Sequence, residues 1–328
     1  MSDHARRYRK PRYDVFMSYK SEDVHLVRRI SECLIASGYH VWFAEYEVLL
    51  QNYDRFQKAI DNGIQRSCCG VCFTNDRYVG SQYCRREIEQ LLDPQNCGPD
   101  NIIEIMIPNE PRTRERYPEL SHAHSLEHRF IKDTLSHIAT KTGRHIVCRM
   151  PSSAPGTEER RHFDNGRETY SLDVQGCDVS ERTYLPSTSG DLEGPNISRW
   201  CGDFPMWGNL IVGDQVDNPR AWGTTLDDRQ CYKYAIDFGK HFFYKRWWWR
   251  FVERPVGLHL LFSHGVSHIG FTAKLWFSMW TRRYSVIVSH PKTGKALEFA
   301  FIFFFRGPFA EFCRYAYLMD ELVESLEF

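Results

Sequence analysis

Tyr13-Asp14-Val15-Phe16-Met17-Ser18, continued by Tyr19-Lys20-Ser21-Glu22-Asp23, is the stretch on which the fold turns. Six mostly apolar residues suit a strand buried on both faces, as a parallel sheet requires. Ser21 and Asp23 then offer side-chain oxygens to the orphan N–H groups of a helix's first turn. Val24, Val27, Ile30 and Leu34 recur at three- and four-residue spacing, and Gly38 follows where a helix-ending glycine belongs. The same alternation continues downstream. Short apolar runs predict strands at 39–44, 67–74 and 102–107, and amphipathic spacing predicts helices at 56–64, 81–92 and 126–139. Strands alternating with helices imply an α/β, flavodoxin-like open parallel sheet, doubly wound. Ligands of such sheets sit beyond the carboxyl ends of the strands, which directs attention to the loops after Ser18, Ala44 and Thr74.

The second half reads differently. Apolar runs at 258–262, 269–276, 284–288 and 297–305 have strand composition, and Pro291-Lys292-Thr293-Gly294 makes a hairpin turn between the last two. A closing helix over 309–326 carries Phe312, Tyr315, Ala316, Met319, Leu322 and Val323 on one stripe, so an α+β, strand-rich second domain is expected. Eight of the nine tryptophans lie at or after Trp200, and a polar, Pro- and Ser-rich stretch precedes them. These shifts divide the chain into a basic arm at 1–12, an α/β domain at 13–145, a linker or loop-rich segment at 146–196 and a regulatory or sensor domain at 197–328. The boundary falls within 142–165. The ligand or trigger of the last domain is not legible in its residues.

Charge narrows the function. The 328 residues carry 42 Lys+Arg against 42 Asp+Glu, and neither half departs from balance by more than two charges, which argues against a nucleic-acid partner. Arg6 to Arg12, with five basic residues in seven, reads as a solvated arm. The most apolar run, Ala296 to Phe305, is about half of what a membrane span needs, so no membrane association is expected. No apolar segment of the secretory type follows Met1, and with eleven cysteines this predicts reduced thiols in a cytoplasmic protein. Cys69 and Cys72 have the spacing of a metal or redox pair but lie in a core strand with no second pair, and His122, His124 and His128 read as structural. No metal site is expected. Trp247-Trp248-Trp249 cannot all be buried on one strand face, which suggests a contact surface.

The first half resembles the TIR domain family on three motifs in order. These are Tyr13-Asp14-Val15-Phe16-Met17-Ser18-Tyr19, then Gly38-Tyr39-His40-Val41-Trp42-Phe43, then Ser81-x-x-Cys84-x-x-Glu87, the last like the start of the third helix in plant and bacterial members. The resemblance covers about residues 13–139. It departs from the family after the second strand, where Asp-Glu becomes Ala44-Glu45 and the glycine of a later Gly-Asp pair becomes Tyr53, ahead of Asp54. In enzymatic members the glutamate of the third motif is catalytic, which places the role at Glu87 and implies cleavage of the nicotinamide–ribose bond of NAD. Nicotinamide departs as a neutral group, so what the chemistry needs is a carboxylate to stabilise positive charge building on the sugar. Tyr83, one turn earlier, is expected to stack on a substrate ring, Ser81 to meet a ribose hydroxyl, and Tyr19 with Lys20 to meet the pyrophosphate. Ser18 and Ala44, at the ends of the first two strands, and Asp54 in the loop complete the expected substrate-binding set. With no Walker or Gly-x-Gly-x-x-Gly loop, NAD is read as substrate and no cofactor is expected. The resemblance further implies self-association through TIR domains, ADP-ribose or a cyclic isomer as product, and a role in bacterial anti-phage defence. The alternative is a non-catalytic TIR scaffold or adaptor.

Overall fold

The computed structural model describes residues 13–47, 53–107, 120, 123–144, 160–164, 169–175, 177–180, 195–214, 252–263, 266–275, 279–289 and 296–326. The basic arm, the Trp247–Trp249 triplet, His122 and the 291–294 turn lie outside them. The chain forms two compact units, Met1–Arg149 and Met150–Phe328.

In the first unit, β1 (Tyr13–Ser18), β2 (Val41–Trp42), β3 (Ser67–Thr74), β4 (Ile102–Met106) and β5 (His124–Glu127) form one parallel sheet in the order β2-β1-β3-β4-β5. The helices are α1 (Val24–Ala36), α2 (Ala44–Glu47), α3 (Tyr53–Gln65), α4 (Asp76–Gly80), α5 (Gln82–Leu92) and α6 (Ile131–Thr142). This is the flavodoxin-like arrangement expected. Val15, Phe16, Val71, Phe73, Ile103 and Ile105 have no accessible surface, as strands covered on both sides should not. Gly38 ends α1 with φ +85°, a left-handed conformation that glycine reaches at no steric cost. Gly63 on α3 serves packing instead: a Cβ there would lie 2.4 Å from the indole nitrogen of Trp42, whose ring stacks on Phe16 at 4.3 Å.

Four local readings are corrected. Ser21–Asp23 forms a 3-10 turn ahead of α1, and the Asp23 carboxylate accepts a bond from Asn75 Nδ2 at 2.9 Å instead of capping the helix. The second strand contracts to Val41–Trp42, because the chain turns into α2 directly after Phe43. The helix expected from 126 begins at Ile131, since Leu126 pairs with Ile105 in a fifth strand whose single interior apolar residue gave no alternation to read. The helix expected from 56 begins at Tyr53, so that Tyr53, standing where the family has glycine, and Asp54, expected in the preceding loop, both lie in the first turn of α3, where right-handed helical backbone suits tyrosine.

The second unit is α+β, as read. β8 (Asp178–Ser180), β9 (Asn196–Cys201), β10 (Phe204–Asp214), β11 (Val252–Ser263), β12 (Val266–Leu275), β13 (Met279–Ser289) and β14 (Ala296–Arg306) form an antiparallel sheet in the order β11-β12-β13-β14-β10-β9-β8. β6 (Arg160–Asp164) and β7 (Thr169–Asp173) make a separate ribbon. The stretch expected to be loop-rich thus holds three strands, masked in sequence because Arg-Arg-His-Phe-Asp and Asp-Val-Ser offer one apolar residue each. Alternate residues Phe301, Phe303 and Phe305 are buried, as are Phe312, Ala316, Met319 and Val323 of α7 (Phe309–Glu324). Between them lies a fully buried ion pair, Arg282 to Asp320 at 3.3 Å, with the Tyr284 hydroxyl also donating to Asp320 and the guanidinium 5.1 Å from the Phe312 ring centre. Among the described residues no helix is long and apolar enough to cross a membrane.

Candidate active site

The site is assembled where β1, β2 and β3 end. Two short caps set its floor. Asn75, just past β3, accepts the Tyr78 N–H at 2.8 Å and starts α4, which directs the Tyr78 ring inward to zero exposure. Ser81 ends α4 in extended conformation and starts α5, accepting the Cys84 N–H at 3.4 Å. Cys84, Ile88 and Leu91 form the buried stripe of α5. Glu87, three residues after Cys84 and beside Ile88, therefore falls on the border of that stripe, half-buried and turned toward the strand ends.

There Glu87 Oε2 accepts the hydroxyl of Ser18, the last residue of β1, at 2.6 Å. Ser18 is fully buried, and its oxygen lies 2.7 Å from the Tyr78 hydroxyl. Burial pushes the Glu87 carboxyl up to about 7, against the opposing pull of the Ser18 bond. A second carboxylate joins it. Glu45, in the first turn of α2, accepts the Tyr19 hydroxyl and is pushed up to about 8 by burial, with the Glu87 charge adding in the same direction. The helices that follow β2 and β3 thus deliver two raised carboxyls to one end of the sheet, the pattern by which environments poise acid and base groups near neutrality. Burial likewise pushes the Cys84 thiol up to about 12, and its S–H points to the Tyr19 carbonyl at 3.6 Å, so it is no nucleophile.

The remaining expected residues fall as follows. Ser18 lies beneath Glu87, its hydroxyl donating to the carboxylate. Tyr19 packs on Phe43 with ring centres 5.5 Å apart while holding Glu45. Lys20 is half-exposed at the head of the 3-10 turn, and Ala44 opens α2. Asp54 is in the first turn of α3, its side chain outside the described residues. Ser81 is spent partly on capping, and Tyr83 presents a ring that is 42% exposed one turn before Glu87. Two residues escaped the sequence reading. Glu45 was visible as a carboxylate immediately after a strand. Tyr78 was signalled by its place three residues after a capping Asn and by the partner a buried phenol needs. Cys69 and Cys72 lie in the core of β3, and His128 bonds Thr134 Oγ1 at 2.9 Å with burial lowering its pKa, both structural placements. Among the described residues no group of three or more His, Cys, Asp or Glu side chains is arranged to hold a metal.

The family described as TIR domain matches residues 15–136. The chain is similar to an NAD(+) hydrolase, TcpA, of Theionarchaea archaeon (strain DG-70-1), with 28% identity over 94 residues, or 28% of each chain. It is also similar to 2' cyclic ADP-D-ribose synthases. That of Bacteroides thetaiotaomicron, BtTIR, is 29% identical over 28% of this chain and 32% of its own. That of Acinetobacter baumannii (strain 1295743), AbTIR, is 29% identical over 29% of this chain and 35% of its own. The matched segment therefore spans about a third of these relatives' length, all of it in the α/β unit. The chain carries an N-terminal TIR domain.

Proposed function

We propose that the TIR domain cleaves the nicotinamide–ribose bond of NAD, with Glu87 as the catalytic residue. The observation that carries this reading is the state of Glu87: a half-buried carboxyl at the carboxyl ends of the parallel strands, poised at about 7. When ionised, it supplies negative charge in a partly desolvated setting, where an oxocarbenium-like sugar is stabilised far more than in water. Nicotinamide leaves neutral, so no acid need protonate it. Water attack on C1′ gives ADP-ribose, and attack by a nucleophile of the same molecule gives a cyclic isomer. The exposed Tyr83 ring supplies a stacking surface one turn away, and Lys20 a cation for the pyrophosphate. The names of the three relatives, an NAD hydrolase and two cyclic ADP-ribose synthases, support this substrate. Self-association of TIR domains would complete the site, and depletion of NAD or release of a cyclic nucleotide would serve bacterial anti-phage defence.

The test is nicotinamide release from NAD by the concentrated 328-residue chain. Wild type is expected to release nicotinamide and Glu87→Ala to lose this on the order of a hundredfold or more. Release that survives the substitution removes Glu87 from the mechanism. No release by wild type at any protein concentration would favour the scaffold reading.

A further inference from the structure

The hydrogen-bond geometry beneath Glu87 has a definite direction. Ser18 has one hydroxyl hydrogen and gives it to Glu87 Oε2 at 2.6 Å. Its contact with Tyr78 at 2.7 Å must then run the other way, with Tyr78 donating and Ser18 accepting. Both residues have zero accessible surface, so no water substitutes for either bond. The result is a buried chain, Tyr78 to Ser18 to Glu87, that occupies one carboxylate oxygen and draws the side chain onto the end of β1.

We propose that Tyr78 is a positioning residue of the site, acting through Ser18 to orient Glu87 and to hold it in its ionised form. This rests on the NAD-cleaving reading only for its purpose; the physical claim concerns the carboxyl itself. A phenol donating to the serine oxygen polarises the serine O–H and makes it a better donor to the carboxylate, since chained hydrogen bonds strengthen one another in a low-dielectric interior. Ser18 alone would be free to rotate between Glu87 and other acceptors; with Tyr78 aimed at its lone pair, its hydrogen has one favourable direction. The other titratable groups whose charge couples to Glu87 are neutral when it ionises. Glu45 on α2 is pushed above Glu87, by burial and then by the Glu87 charge itself, and the Cys72 and Cys84 thiols and the Tyr78 phenol are likewise pushed up by burial and stay protonated. Among the described residues, the Ser18 bond is the interaction that favours the Glu87 anion.

The experiment follows the Glu87 carboxyl carbon by ¹³C NMR through a pH titration of the full chain, assigned by its loss in Glu87→Gln. Ser18→Ala is expected to move the Glu87 midpoint up by about one pH unit. Tyr78→Phe, which keeps the ring and its packing, is expected to move it in the same direction by roughly a third of that. Tyr13→Phe removes a different phenol–carboxylate bond of the same unit, to Glu47 at 2.9 Å, and is expected to leave the midpoint in place. The acid limb of nicotinamide release should move up with the midpoint in both relay variants. A Tyr78→Phe midpoint equal to that of Tyr13→Phe overturns the proposal, and so does a downward shift. Shifted midpoints in a wild-type background that releases no nicotinamide would sink the NAD reading while leaving the relay standing.

Discussion

A carboxyl held at about 7 has two consequences, one for activity and one for stability, and they oppose each other. On the proposed mechanism nicotinamide release needs the Glu87 anion, so its rate is expected to rise as pH passes upward through about 7 and to level off above. Stability runs the other way. The folded pKa lies above the ordinary glutamate value of 4.5, so the folded state binds the proton more tightly than the unfolded chain. The stabilisation this brings is complete below the unfolded value and is lost as pH rises through about 7. At pH 8 the fold carries a desolvated charge that it would hold more cheaply as an amide. Glu87→Gln is therefore expected to raise the melting temperature at pH 8, by the equivalent of about 1–3 kcal/mol, and to lose that advantage near pH 4.5. Melting curves of both proteins across that range check the sign. Glu87 was legible as a candidate in the Ser-x-x-Cys-x-x-Glu spacing, but its poise was not. Spacing shows that a glutamate borders a buried stripe; it does not show that Ser18, sixty-nine residues earlier, lies under it. Glu45 escaped for a related reason, since a carboxylate after a strand looks like any loop charge until burial and the Tyr19 hydroxyl are seen.

At the scale of elements, periodicity was a good guide wherever an element buried a full stripe and a poor one wherever it did not. α1 and β3 read cleanly because Val27, Ile30, Leu34 and Val71, Cys72, Phe73 are wholly or nearly wholly buried. β5 and β8 did not, because four- and three-residue strands contain one apolar residue each and are defined by pairing to distant neighbours. The edge strand β2 shows what pairing costs in sequence freedom. Trp42 stacks on Phe16 and fills the space over Gly63, so that helix α3 can approach only because residue 63 has no side chain. Two effects compete in Gly63→Ala. Alanine in a helix is favoured over glycine by about 1 kcal/mol. Its Cβ, though, would sit within 2.7 Å of three indole atoms of a buried ring that has nowhere to swing. Overpacking of this kind costs about 1–3 kcal/mol, so net destabilisation is expected, checked by urea unfolding. Relief of that loss in Gly63→Ala/Trp42→Phe would identify the indole as the obstacle; an unchanged double variant would exclude it.

For the whole molecule, balanced charge and a change of composition near the middle announced two kinds of architecture, and the two compact units have separate cores that can be tested separately. The second unit is the harder to read because its most consequential feature is polar. Arg282 stands in β13, where alternation expects an apolar residue, and Asp320 stands on the buried side of α7. Sequence alone scores both as violations. Together they form one fully buried pair, with Tyr284 donating to the acid and Phe312 offering its ring to the guanidinium. Such a pair need not add net stability over an apolar one, but breaking it leaves an uncompensated charge in the interior and costs about 3–5 kcal/mol. Asp320→Ala is therefore expected to loosen α7 and β9, β10, β13 and β14 strongly, whereas Asp320→Leu with Arg282→Met restores most of the loss by removing both charges. Peptide-resolved hydrogen exchange distinguishes the cases. Faster exchange in Asp320→Ala should be confined to the second unit, with the strands around Glu87 as protected as in wild type. Equal loss of protection in both units would mean that they unfold as one body, and that the poise of Glu87 depends on a core more than two hundred residues away.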